Sequence, residues 1–168
     1  MADGSADSYS VFLGIHPETA DDDAHYALIL RSAVTDPAGD CIWYHTLGGP
    51  FEEIEPYRRV KSYYRRFQNP YFPKREPIGM FRKEKFDAFE AAFYSTPPQK
   101  SHWFITRVIR KLGDGGILAQ SQVDQLEIRV QQAYGTCPEG LVDDPFYLRD
   151  RSVEQEGQEL SRVFHLEL

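Results

Sequence analysis

Apolar and polar positions alternate in the first third of the chain and then shift to a helical rhythm. Residues 9–15, Tyr-Ser-Val-Phe-Leu-Gly-Ile, close at His16-Pro17 and predict a strand. Residues 25–31, His-Tyr-Ala-Leu-Ile-Leu-Arg, are short, apolar and flanked by polar residues, as a buried strand is. A turn at 36–40, Asp-Pro-Ala-Gly-Asp, leads into a return strand at 41–47, Cys-Ile-Trp-Tyr-His-Thr-Leu, ended by Gly48-Gly49-Pro50. Alternation puts Cys41, Trp43 and His45 on one face of that strand, with Ile42 and Tyr44 on the other.

Helical spacing then takes over. Tyr57, Val60, Tyr64 and Phe67 form a stripe that predicts a helix over 56–67, with acidic residues before it and Arg65 and Arg66 at its end. Three prolines make 69–77 an irregular loop or extended edge, and 78–81 reads as a short strand. A helix over 84–94 buries Phe86, Phe89, Ala92 and Phe93, and another over 120–134 buries Val123, Leu126, Val130 and Ala133. Between them lies the most sharply delimited segment. Pro97-Pro98 marks its beginning and Gly113-Asp114-Gly115-Gly116 marks its end. Inside it Phe104, Ile105, Val108, Ile109 and Leu112 make one apolar stripe, and Ser101 sits at the start on the side that turns toward the core. Past Gly135 the periodicity is lost. The pattern predicts one domain over 1–136, with 1–8 and 18–24 flexible, and an irregular acidic tail over 137–168 carrying a strand at 162–166.

Composition narrows the class. With 168 residues, 41% of them apolar and 14% aromatic, a single domain with a sizeable core is expected and a disordered chain is not. No run reaches membrane-spanning length, and the N-terminus lacks the basic and apolar regions of a signal peptide, so a cytoplasmic chain is expected. Cys41 and Cys137 alone make neither a disulfide framework nor a zinc site, and no histidine pair has a metal-ligand spacing. Neither metal nor cofactor is expected. The net charge of −7 argues against nucleic acid as a partner. Against that acidic background, 57–67 concentrates Arg58, Arg59, Lys61, Arg65 and Arg66 among tyrosines. Three uses fit such a stretch: a solvated face paired with acidic segments, a grip on single-stranded nucleic acid, or arginine forks for an anionic small molecule.

Candidate chemistry rests on one serine and three histidines. A hydroxyl at the head of a helix sits among unpaired backbone N–H groups, which suits either a cap or a nucleophile. His25 opens one strand and His45 lies on the next, each suited to packing or to acid–base work. His102 neighbours Ser101 but points about a third of a helical turn away. His16 and His165 receive no role.

Set side by side, His25-Tyr26-Ala27-Leu28-Ile29, Trp43-Tyr44-His45 and Ser101 at its helix head resemble the permuted papain-like fold of NlpC-type and lecithin:retinol acyltransferase-like proteins. More narrowly, the order is similar to that of a family of uncharacterised fungal proteins built on the same pattern. In those proteins the first histidine is the base, a second histidine lies on the next strand, and a later helix begins with a nucleophilic cysteine. The likeness runs from about residue 9 to about residue 134. It implies an α+β domain whose small antiparallel sheet packs against helices, with a pocket between His25, His45 and the helix head. The resemblance implies catalytic roles for Ser101, His25 and His45; beside it, His102 joins the histidines as a candidate for acid–base work, and Trp43, Tyr26, Arg58 and Arg65 are the candidate substrate contacts. A small acyl- or amide-like substrate, anionic if the arginines bind it, and a setting in fungal secondary metabolism come with the resemblance.

One departure decides how much of this transfers. Lys100-Ser101 stands where the family has Asn-Cys, and a serine hydroxyl is far less acidic than a thiol. Three readings are open. Ser101 attacks as a nucleophile with His25 as base and His45 orienting it; the histidines run acid–base chemistry without a covalent intermediate; or the pocket is catalytically silent and serves binding alone.

Overall fold

The computed structural model describes residues 7–20, 24–32, 39–48 and 57–137. Five strands fall within them: β1 (Ser8–His16), β2 (His25–Ser32), β3 (Asp40–Leu47), β4 (Arg58–Arg66) and β5 (Lys74–Arg82). They form one antiparallel sheet in the order β4-β3-β2-β1-β5. A single 3₁₀ turn, Lys83–Lys85, leads into α1 (Phe86–Tyr94), then α2 (Ser101–Asp114) and α3 (Gln120–Tyr134). The protein is therefore α+β, with helices and sheet segregated along the chain. Among the described residues no helix is long and apolar enough to cross a membrane.

Alternation along the strands divides the apolar residues into two clusters. Val11 and Leu13 of β1, Tyr26, Leu28 and Leu30 of β2, and Tyr44 of β3 face the helices. Against them α2 lays Phe104, Ile105, Val108, Ile109 and Leu112, all at most 1% exposed. At about 1.5–3 kcal/mol for each fully buried side chain, this stripe is the largest single block of the core. Backbone bonds from Ile117 and Leu118 to the Leu112 carbonyl close the helix, with Gly116 at φ +66° making the turn that brings α3 alongside.

The opposite face carries Ala27, Ile29, Cys41, Trp43 and Phe72. No helix covers it among the described residues. Instead the connection from β4 to β5, residues 67–73, runs across it and lays Phe67, Tyr71 and Phe72 on the strands. Gly14 makes room for this crossing. A Cβ there would lie 2.7 Å from Ile29 Cδ1 and 3.0 Å from Phe72 Cγ. Gly14→Ala is expected to cost about 1–3 kcal/mol by forcing both side chains off their packing, and urea unfolding checks it.

The helix expected over 56–67 is instead β4. Its spacing of apolar residues fits a helix, but aromatic and β-branched residues fill a pleated surface equally well, and pairing along the whole of β3 decides the matter. Val60 and Ser62 turn inward, while Tyr64, nominally part of the helical stripe, is 84% exposed. Tyr64 takes φ 55° where the β3–β4 register shifts between Cys41 and Trp43, a bulge that throws its ring off the edge. The extended edge over 69–77 and the strand over 78–81 merge into β5, whose Pro77 sits on an outer strand that tolerates a missing N–H. Helices over 84–94 and 120–134 are found as α1 and α3. Of the segments expected to be flexible, Ser8 begins β1 and Ala24 is packed in the core. The tail over 138–168, with its predicted strand, lies outside the described residues.

Candidate functional site

Near its start, β2 parts from β3. Their register pairs Leu28 with Tyr44, Ile29 with Trp43 and Leu30 with Ile42, and goes no nearer to His25. Among the described residues the backbone around Ala24 and Tyr26 has no strand partner on that side, and the head of α2 takes the place of one. Ser101 Oγ accepts the Tyr26 N–H at 3.0 Å and donates to the Ala24 carbonyl at 3.4 Å. From the other lip of the split, Thr46 Oγ1 donates to the Gln99 carbonyl at 2.9 Å. Residues 99–101 are thus a plug between two strands. The serine does not cap its own helix: Lys100 is the capping residue, and its side chain makes no bond to the first turn.

Across the same split, on the face away from α2, two imidazoles meet. His25 Nε2 and His45 Nδ1 are 2.9 Å apart, with ring centroids 5.2 Å apart and planes nearly perpendicular. His45 Nε2 lies 3.4 Å from Ser62 Oγ, so a hydrogen-bonded series runs Ser62–His45–His25. His45 and Ser62 are fully buried and His25 is half-buried, so the series ends at its most accessible member. Burial lowers the His25 pKa to about 4, with the nearby His16 adding to the effect. Burial holds His45 well below its ordinary value too, reinforced by the Arg65 charge and by the repulsion that protonating both His45 and His25 would bring. Both rings are neutral at physiological pH, and one proton lies between them.

Aromatic side chains wall the pair. The His25 ring stacks near Phe72 at 6.0 Å and meets Tyr71 edge-on at 6.1 Å, while Trp43 stands 6.3 Å from His45. His16 stacks on Tyr71 at 4.5 Å and donates Nδ1–H to its carbonyl at 2.7 Å. His16 has no role by sequence reasoning, yet this stack places it at the accessible end of the pair.

The expected site residues separate accordingly. His25 and His45 come together, and Ser101 reaches the backbone on either side of His25. Its hydroxyl bonds Tyr26 and Ala24 and makes no hydrogen bond to the imidazole, which turns to the other face. His102 is 2% exposed and stacks on Tyr134 at 4.0 Å beneath α3, a packing position on the helical side. Tyr26 lies there too, edge-on to His102 and Tyr134. Trp43 is buried under Phe72 and beneath the Arg65 guanidinium, 5.3 Å from its ring. Arg58 opens β4 opposite Leu47, half-buried.

The basic stretch is committed within the fold at two positions. Arg59 donates to the carbonyls of Tyr94 and Thr96, holding the end of α1. Lys61 pairs with Glu90 of α1, which also accepts the Tyr44 hydroxyl at 2.9 Å. Of the three uses open to this stretch, pairing with other parts of the same chain accounts for these two cations. Ser62, Tyr71, Phe72 and His16 escape a reading of the sequence. A period-two reading of 58–66 would have found Ser62, since Val60 and Ser62 are its two buried positions. Among the described residues no group of three histidine, cysteine or acidic side chains is placed to hold a metal ion.

Set against known proteins, the chain matches no family model, no curated protein and no solved structure.

Proposed function

We propose that the chain is an enzyme acting on a small acyl- or amide-like molecule, in which His25 moves a proton and His45 and Ser62 hold its ring. The single observation that carries this is the series Ser62–His45–His25, buried at one end and accessible at the other. A neutral imidazole whose far nitrogen is fixed by a second ring presents its remaining nitrogen in one orientation, as a general base requires. The arrangement supports acid–base chemistry without a covalent intermediate over a serine nucleophile, because the Ser101 hydroxyl proton points at a backbone carbonyl. The meeting of a histidine strand with a helix head also supports a permuted papain-like ancestry, with the thiol lost and the hydroxyl used as a clip.

A second reading has its own observation. With its hydroxyl bonded to backbone on both sides, Ser101 is placed as a structural element, which fits a pseudoenzyme that binds a small molecule. A panel of activated esters and small amides separates the two. For the enzyme, wild type hydrolyses or transfers at least one of them, and His25→Gln slows it by about 10²–10⁴-fold. For the binding module no member is turned over, while the ligand raises the melting temperature of wild type and His25→Gln alike.

A further inference from the structure

Cys137 lies three residues beyond α3 and is half-buried. Its thiol donates to Gln99 Oε1 at 3.3 Å, and Arg107 Nη2 donates to the sulfur at 3.2 Å. Gln99 is only 4% exposed, and among the described residues its Nε2 hydrogens have no acceptor. A buried amide N–H without an acceptor is costly, and this one belongs to the same planar group that already touches the sulfur. An oxygen atom added to that sulfur would come within its reach.

We infer that Cys137 is a site of reversible oxidation by hydrogen peroxide, its sulfenic-acid oxygen held by Gln99 Nε2 and Arg107. The sulfur attacks one peroxide oxygen, forming an S–O bond as the O–O bond breaks. The departing hydroxide takes the thiol proton and leaves as water; sulfur is oxidised by two electrons and the peroxide is reduced. Arg107, with its donor already on the sulfur, is placed to bond the departing oxygen. Cys41 provides an internal contrast. It is 3% exposed and donates to the Arg65 carbonyl at 3.1 Å, and burial pushes its thiol up to about 11.

The full chain is treated with dilute hydrogen peroxide in the presence of dimedone, which traps sulfenic acid, and each cysteine is followed by peptide mass spectrometry. The urea-unfolded chain gives the reference rate. Trapping at Cys137 should be about five- to tenfold faster in the folded chain than in the unfolded one, as the gain of one or two hydrogen bonds allows. Cys41 should be slower when folded. Gln99→Leu and Arg107→Leu should each remove most of the advantage, with circular dichroism confirming the fold; should Gln99→Leu not fold, Arg107→Leu decides. Trapping at Cys137 that is no faster in the folded chain overturns the inference, and so does an advantage that survives the substitutions.

Discussion

Acidification from pH 7 to about 4 is expected to cost the wild-type chain about 3 kcal/mol more stability than it costs His25→Gln. The figure comes from a folded pKa of about 4 against an ordinary value of 6.5. Between those values the unfolded chain takes up a proton that the folded chain refuses, so the unfolded state binds more protons and stability falls as pH falls. Above about pH 7 the group is neutral in both states and contributes no slope. His45, held low by burial first, adds a loss of the same sign over the same direction of pH. Carboxylates titrate in the same range but do so in both chains, so they cancel in the difference, which reports His25 together with its coupling to His45. Urea unfolding at several pH values measures it; parallel curves for the two chains would show that His25 is not held neutral by its surroundings.

Replacing Ser101 by alanine is expected to cost about 1–3 kcal/mol and to leave turnover in place. The substitution strands the Tyr26 N–H, which among the described residues has no strand partner on the side away from β1, and it frees the Ala24 carbonyl beside it. Lost turnover at unchanged substrate binding would instead make the hydroxyl a nucleophile that rotates to His25 during catalysis. Unchanged stability would deny the clip. Measuring both quantities on the same preparation is therefore the informative form of the experiment, since the two roles predict opposite pairs of outcomes.

Strands and helices whose partners are near in sequence are the legible part of this fold. The return strand at 41–47 shows its two faces through plain alternation, and α2 shows its stripe because prolines and glycines fence it on both sides. β4 is not legible in this way, because its apolar spacing satisfies two periods and only the pairing with β3 selects between them. The histidine pair is legible only through the resemblance, since nothing in the spacing of His25 and His45 fixes a register that begins at Leu28. Ser101 is legible as a helix head. That it serves β2 instead of its own helix depends on the split in the sheet, which local sequence does not encode.

The route of the connection from β4 to β5 has a kinetic consequence. Strands β1 to β4 succeed one another as a meander, whereas β5 joins the far side of β1, more than 55 residues away along the chain. Closing so long a loop carries an entropic cost that neighbouring hairpins avoid, so this pairing belongs late in folding. Tyr71 and Phe72 travel with it. Until β5 docks, His25 and His45 keep each other and Ser62 but lack the cover of Tyr71 and Phe72, so water reaches them more freely. Their protonation in that earlier species would oppose the final docking, so acid should slow folding at its last step rather than its first.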